Sequence, residues 1–347
     1  MLNGPHSTIS IGPDQINTMK IVHFQRRPSG VRFSIEGYFE RVRESLAPTI
    51  PVELRLMPCV SQGLWRRVHN LLDAALHQGD INHVTGDVNY VAILLRRKRT
   101  VLTVLDCEIL HRLTGLRRQI VKLFWYSLPA SRVSYITVIS EETKRQLLKE
   151  IRFSAKRIRV IPVSVSYLFQ PHPKAFQKQC PRILQVGTKA NKNLLRLAEA
   201  LRGISCEVDV VGPMTAEQVA AFQSNEISHR VHTGLSQEEI VELYRLSDIV
   251  SFVSTHEGFG MPIVEAQWTE RVCVTSNCSS MPEVAGDGAC LVDPFEIASI
   301  RSGFLKVISD SAYRERLIEN GRTNRLRFDS QRIANQFADL YAEMLRD

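Results

Sequence analysis

The chain has 347 residues, 44% hydrophobic and 23% charged. That composition supports sizeable cores and excludes global disorder, and the length favours two domains over one. No run approaches the roughly 18 uninterrupted apolar residues of a spanning helix, which excludes an integral helical membrane protein. Seven cysteines without a C-x-x-C pair speak against a disulfide framework or zinc ribbon. Together with the lack of a charged-then-apolar leader, they set the expectation of a reducing, cytoplasmic setting.

Residues 1–18 are polar with scattered Gly and Pro, and read as a flexible extension. From Met19 short apolar runs alternate with helical patterns. Strands are expected at 20–24, 52–58, 80–86, 99–106, 134–140 and 157–165. Helices are expected at 33–46, 64–77, 116–128 and 141–151, with Ser140 as a cap for the last. The second half repeats the rhythm. Strands are expected at 181–187, 206–212, 230–235, 248–254, 271–276 and 289–294. Helices are expected at 192–201, 237–246, 262–268, 296–309, 311–321 and 330–346. Ser236 and Glu239 have the spacing of a capping box. Strand–helix–strand alternation predicts parallel sheets covered by helices, hence an α/β chain of two Rossmann-like, doubly wound domains. The predicted domains are 19–165 and 166–328, with residues 329–347 as a helix crossing back to the first. Ligands of such folds sit beyond the carboxyl ends of the strands.

The net charge of +8 is unevenly placed: residues 1–165 hold 25 basic and 13 acidic residues, a balance of +12, and the remainder holds 19 and 23, a balance of −4. A basic half attracts phosphates or anionic headgroups, with a solvated face as the alternative. The segment 116–128 mixes Arg117, Arg118 and Lys122 with Phe124, Trp125 and Tyr126. It reads either as core packing or as a membrane-surface helix.

The most informative stretch runs from Ser254 to Ala266. A strand ends, a loop with Gly258 and Gly260 follows, and a helix begins with Pro262 in its first turn, where a missing N–H costs nothing. Glycines let the backbone approach a ligand, and free N–H groups at a helix start favour an anion. Glu257 and Glu265 flank the loop eight residues apart. A phosphate held at amides, with acids placed for hydroxyls, suits a nucleotide-sugar. The plain alternative is a strand–helix turn with Glu265 as a dipole partner.

This segment resembles the Glu-x7-Glu signature of retaining glycosyltransferases of GT-B architecture, family 4, the glycosyl transferases group 1. VGTKANKNLLRLAEAL, LYRLSDIVSFVS and TSNCSSMPEVAGDGACLVDP extend the resemblance over about residues 181–295. FQRRPSGVRFSIEGYFERVR, HVTGDV and LPASRVSYITVISEETKRQLL resemble a bacterial surface-polysaccharide branch of that family.

The resemblance implies two domains facing across a cleft and transfer of a sugar from a nucleotide-diphospho-sugar to a glycan or lipid-linked glycan. It implies no cofactor, no metal and no nucleic-acid partner. Glu257 would face the donor sugar and Glu265 the ribose hydroxyls. The amides of Gly258, Phe259, Gly260 and Met261 would approach the sugar and its phosphate. Lys192 would pair with the diphosphate, with Lys189 and Thr188 beside it. Thr233 and Gly234 would lie near the base, and Gly30, in the turn Pro28-Ser29-Gly30, near the phosphates.

Two departures stand out. Relatives often carry an Arg a few residues before the lysine, where Thr188 and Lys189 stand here. They often carry a His before the acid ending the 99–106 strand, where this chain has Leu105-Asp106. Asp106 is read as a third catalytic candidate toward the acceptor, or as a loop cap. His83 is a weaker substitute for the missing His, more in keeping with a buried, satisfied core histidine. His229 and His232 lack the acidic or cysteine company of a metal site. The basic half fits a peripheral position at the inner membrane face with a lipid-diphosphate-linked glycan as acceptor, and it fits an acidic polysaccharide almost as well. Two other readings stay open: a nucleotide-sugar 2-epimerase or sugar phosphorylase of the same fold, and a non-catalytic scaffold that keeps the donor fold.

Overall fold

The structure, a computed structural model, describes residues 19–27 and 34–346. Two contact units divide the chain. The first comprises the described residues of Met1–Val138, Gln146–Ile161 and Ser330–Asp347; the second comprises Ile139–Arg145 and Pro162–Asp329. The boundaries read from the sequence, after 165 and 328, stand beside these at 161 and 329. The segment 1–18 and the turn holding Gly30 lie outside the described residues.

The first unit is built on β1 (Ile21–Gln25), β2 (Val52–Leu56), β3 (Ile81–Val84), β4 (Thr100–Val104), β5 (Tyr135–Val138) and β6 (Ile158–Val160), in the order β2-β1-β3-β4-β5-β6. All pairings are parallel. The strands β1, β3, β4 and β5 are buried throughout, whereas the edge strand β2 is not. Burial on both faces explains their near-continuous apolar runs.

Right-handed crossovers assign the helices to faces. The step from β1 to β2 runs opposite to all later steps, so the Ser34–Leu46 helix lies on one face. The Leu64–Leu76 helix and the Gly115–Ser131 run lie on the other. The C-terminal helix Ser330–Arg346 joins the first face. Its Phe337 packs against Tyr38 and Phe39, and its Tyr341 hydroxyl meets His23 Nε2 at 2.8 Å and His83 Nδ1 at 2.7 Å.

The second unit repeats the architecture with β7 (Arg182–Val186), β8 (Glu207–Val211), β9 (Ser228–His232), β10 (Ile249–Phe252), β11 (Val272–Ser276) and β12 (Cys290–Val292), in the order β12-β11-β10-β7-β8-β9, again parallel. Buried Asp209 on β8 ties three strands together: Arg182 of β7 pairs with it, and His232 Nε2 of β9 meets Oδ1 at 2.7 Å. Burial alone would raise its pKa, but the hydrogen bonds from Arg182 and His232 hold it below the usual value. Ser236 and Glu239 form both bonds of the expected capping box.

Some elements differ from the sequence expectation. The Ala216–Ser224 helix, opened by a Thr215–Gln218 capping box, and the short Met281–Ala285 helix were not anticipated. The strand expected at 157–165 shrinks to Ile158–Val160, and the helix expected at 192–201 begins at Leu194. The 116–128 helix contains a π turn at Lys122–Ser127, which brings Tyr126 inward so that its hydroxyl donates to Asp106 O at 3.2 Å.

Candidate functional site

In the second unit β7 and β10 are hydrogen-bonded neighbours, so the loops leaving their carboxyl ends lie side by side. After β7 the chain passes through Gly187 at φ +89°, a short turn at Ala190–Lys192, and Asn193 at φ +64° before the Leu194–Leu201 helix begins. This path folds Lys192 back over its own loop. A Cβ on Gly187 would stand 2.9 Å from Lys192 Cε, so only glycine leaves room for that stem.

The Lys192 ammonium ends 2.7 Å from Glu257 Oε1 and 4.4 Å from the centre of the Phe252 ring. Asn191 braces the partner loop: its Nδ2 donates to Glu257 Oε1 at 3.0 Å and to His256 O at 2.9 Å, and its carbonyl accepts Thr255 N–H at 2.8 Å. One oxygen of Glu257 is thereby held by two donors, and Oε2 has no hydrogen bond within the described residues.

The loop after β10 has its carbonyls fastened by hydroxyls. Ser279 Oγ donates to Glu257 O at 2.7 Å, Ser140 Oγ to Gly258 O at 2.8 Å, and Ser280 Oγ to Phe259 O at 2.6 Å. Ser140 also caps the Glu141–Glu150 helix by accepting Thr143 N–H at 3.0 Å, and Glu283 accepts Glu141 N–H at 2.9 Å. With the carbonyls held, the N–H groups of Gly258, Phe259, Gly260 and Met261 form no hydrogen bond within the described residues. Gly260, at φ +117°, turns the chain into the Met261–Trp268 helix. These donors and the Lys192 charge make a local environment that favours an anion.

Glu265 lies one turn into that helix, half-buried. Tyr244, fully buried on the Gln237–Leu246 helix, donates its hydroxyl to Glu265 Oε2. Burial, and then the Glu265 charge, raise the Tyr244 pKa well above its ordinary value, so the phenol remains a donor. Asn191 and Tyr244 escaped the sequence reading. A loop Asn beside Lys192 was a visible signal for the first; Tyr244 reads as a core aromatic.

The other sequence candidates take varied places. The Thr188 hydroxyl donates to Pro213 O at 2.6 Å and its carbonyl accepts Gln218 Nε2 at 2.8 Å, so its polar groups are engaged in the fold. Lys189 is exposed. Thr233 and Gly234 are exposed in the loop after the edge strand β9.

Asp106 belongs to the first unit, where Oδ1 accepts Glu108 N–H at 3.0 Å, the geometry of a loop cap. It lines a cavity of about 110 Å³ together with Asp87, Thr103 and Trp125. His83 is fully buried, with Nε2 2.7 Å from Thr103 Oγ1. Among the described residues no group of three or more His, Cys, Asp or Glu could hold a metal ion, and no helix is long and apolar enough to cross a membrane.

Residues 170–324, which carry Asn191, Lys192, Glu257, Tyr244 and Glu265, match the glycosyl transferases group 1 family. The matched segment is somewhat less than half of the chain. Among its relatives is an MMP alpha-(1->4)-mannosyltransferase of Mycolicibacterium hassiacum, 26% identical over 62% of this chain and 56% of the relative. Another is the O-antigen chain mannosyltransferase B of Escherichia coli, 23% identical over 59% of this chain and 60% of the relative. The chain thus spans less than two thirds of both. Among solved structures, Anabaena Alr3699/HepE in complex with UDP and glucose superposes with a TM-score of 0.74 at 18% identity, covering 94% of this chain and 100% of that one. That likeness shows the GT-B fold: two six-stranded parallel sheets with their helices.

Proposed function

We propose that the chain is a retaining glycosyltransferase that moves a sugar from a nucleotide-diphospho-sugar to a glycan or lipid-linked glycan in surface-polysaccharide synthesis. The observation that carries this reading is the Lys192–Glu257 pair, 2.7 Å apart beside the four unbonded N–H groups of Gly258 to Met261. The mannosyltransferase relatives, and the UDP and glucose bound to the Anabaena protein, support the reaction class and a nucleotide-sugar as donor.

In this reading Glu265, steadied by Tyr244, accepts from the ribose hydroxyls. Glu257 turns Oε2 toward a hydroxyl of the sugar. As the bond between the anomeric carbon and the diphosphate oxygen breaks, negative charge grows on the leaving group. Lys192, exposed Lys189 and the helix-start amides meet that charge, which is electrostatic stabilisation of a leaving group by protein groups alone. The acceptor hydroxyl attacks the same face of the sugar, and its proton passes to the leaving phosphate oxygen. Thr233 and Gly234 hold the base by backbone groups. Asp106 serves the acceptor side, with the acceptor bound by the first domain. The protein works in the cytoplasm, with peripheral contact at the inner membrane face.

The test is product analysis. The protein is incubated with UDP-, GDP-, ADP- and dTDP-sugars and a lipid-diphosphate-linked glycan, and the anomeric configuration of the product is read by NMR. The expected product keeps the donor's configuration. An inverted linkage overturns the retaining assignment. A sugar altered at C2 or a phosphorolysis product points to the related enzymes, and donor binding without turnover over a wide acceptor set points to a scaffold.

A further inference from the structure

The Leu64–Leu76 helix of the first unit turns Asn70 inward with Leu71 and Ala74, and still leaves an apolar side in solvent. Inward-facing Asn70 is fully buried: Nδ2 donates to Cys59 O at 2.9 Å and Tyr90 Oη at 2.8 Å, and Oδ1 accepts Cys59 N–H at 2.9 Å. Asp73 pairs with Arg55 of β2. The opposite stripe, positions 65, 69, 72 and 76, follows the spacing of one helical face. It reads Trp, His, Leu, Leu, with Trp65 82% and Leu76 81% exposed. A surface helix of a soluble domain ordinarily shows the reverse.

The neighbouring Gly115–Ser131 run buries Tyr126 and Ala130 and also leaves apolar side chains in solvent. Leu116, Ile120, Leu123 and Phe124 face outward, Leu116 being 76% exposed, while Trp125 packs on Tyr90 at 5.1 Å between ring centroids. The two segments touch, because the Arg67 guanidinium stacks 4.8 Å over the Trp125 ring. They lie on one face of the sheet, so their apolar stripes form a common surface.

Asp73, Glu108 and Glu150 near that surface are held by Arg55, Arg112, and Arg118 with Lys122, which leaves the charge outside ion pairs basic. Residues 54–72 and 109–140 contain no Asp or Glu. Arg66 and Arg117 are exposed among the apolar side chains and form no ion pair among the described residues. The basic turn Arg97–Arg99 adjoins the Leu76 end, since Arg96 N–H donates to Gln78 Oε1 at 2.8 Å. Two copies pressed together here would set cation against cation. A surface that is apolar beneath and anionic on top complements both features.

We infer that this two-helix face of the first unit docks on a bilayer carrying anionic lipid headgroups. Trp65, Leu72, Leu76, Leu116 and Phe124 enter the boundary between headgroups and acyl chains, and Arg66, Arg117 and the Arg97–Arg99 turn meet the lipid phosphates. This assignment does not depend on the proposed sugar transfer. The surface stands on its own residues.

The test is vesicle co-sedimentation of the full chain, with vesicles of phosphatidylcholine alone and of phosphatidylcholine mixed equally with phosphatidylglycerol. The full chain is expected to pellet with the mixed vesicles, and much less with the neutral ones. Trp65 emission should shift to the blue on binding, and Trp65→Phe should remove the shift. The double variants Leu72→Glu/Leu76→Glu and Leu116→Glu/Phe124→Glu should each weaken binding at least about tenfold. Leu305→Glu, an equally simple change at an exposed position of the second unit, should leave binding unchanged. All these sites are exposed, and circular dichroism confirms that the variants fold.

Absence of binding to the mixed vesicles at low salt overturns the proposal. So does binding that the double variants do not reduce. A concentration-dependent dimer that the same variants dissolve and that vesicles cannot displace assigns the face to a second copy instead. Retention of DNA at physiological salt without vesicle binding assigns it to nucleic acid.

Discussion

Lys192 Nζ lies 2.7 Å from Glu257 Oε1, with the two side chains only 16% and 17% exposed. The carboxylate takes the ammonium that the proposed mechanism gives to the donor diphosphate, so ligand and Glu257 compete for one cation. Lys192→Ala should weaken binding of nucleoside diphosphates about tenfold or more, the loss of a charge-assisted hydrogen bond. Glu257→Gln releases the lysine. It should leave nucleoside diphosphate affinity unchanged or higher, while sugar transfer falls. Calorimetric titration of both variants, with a turnover assay, reads the two effects apart. Parallel losses in both measurements would contradict the competition.

Gly187 supplies the room for Lys192. At φ +89°, with a Cβ falling 2.9 Å from Lys192 Cε, Gly187→Ala strains the backbone and displaces the ammonium. Expected are a stability loss of about 1 kcal/mol or more and weaker diphosphate binding. Thermal unfolding and titration measure these, and native-like values for both would show that the lysine's path has an alternative.

Tyr244→Phe keeps the ring, which meets Phe169 edge-on at 5.2 Å, and removes only the hydroxyl that Glu265 accepts. If Glu265 holds the ribose, the variant should bind ribonucleotides several-fold to about tenfold more weakly. The advantage of a ribonucleotide over its 2′,3′-dideoxy counterpart should shrink. An undiminished advantage would reduce Tyr244 to a packing residue.

Much of this site was legible in the sequence because it follows strand ends. The strands β7 and β10 are buried on both faces, so their apolar runs stood out, and Gly258, Gly260 and Pro262 marked the helix entry. What was hidden depends on separation in sequence. Asn191 acts on Glu257 across 66 positions, and Tyr341 meets His23 across 318. No local pattern announces either contact. The Ala216–Ser224 helix was missed because it buries only Gln218 and Phe222, too few positions to set a period. The outward leucines of the Leu64–Leu76 helix obey helical spacing, but spacing cannot tell which face the fold will cover.

The His23–His83–Tyr341 cluster predicts acid sensitivity. Burial, reinforced by the Arg43 charge, pushes His83 from 6.5 down to about 3. Burial and then the His83 and Arg43 charges push His23 in the same direction. Phe39, Phe337 and Thr103 also pack against His83. The folded chain therefore holds fewer protons than the unfolded chain below pH 6.5. The stabilisation from neutral histidine is complete above that pH and is lost as pH falls toward 3, at up to about 1.4 kcal/mol per pH unit for each residue. Scanning calorimetry between pH 7.5 and 5 should show a falling melting temperature for the transition that contains the C-terminal helix, with a shallower slope in His83→Gln. Equal slopes in parent and variant would exclude this cluster as the source.

The central claim is that the loops after β7 and β10 form a nucleotide-sugar site with Glu265 at its ribose end. Its most direct test is calorimetric titration of UDP, GDP, ADP and dTDP, each free and as its common sugar conjugates, against the parent chain and Glu265→Ala. The account predicts selective binding of one nucleotide series by the parent and affinity at least about tenfold lower in the variant. A folded parent that binds none of them, or a variant that binds every one as tightly as the parent, would contradict it.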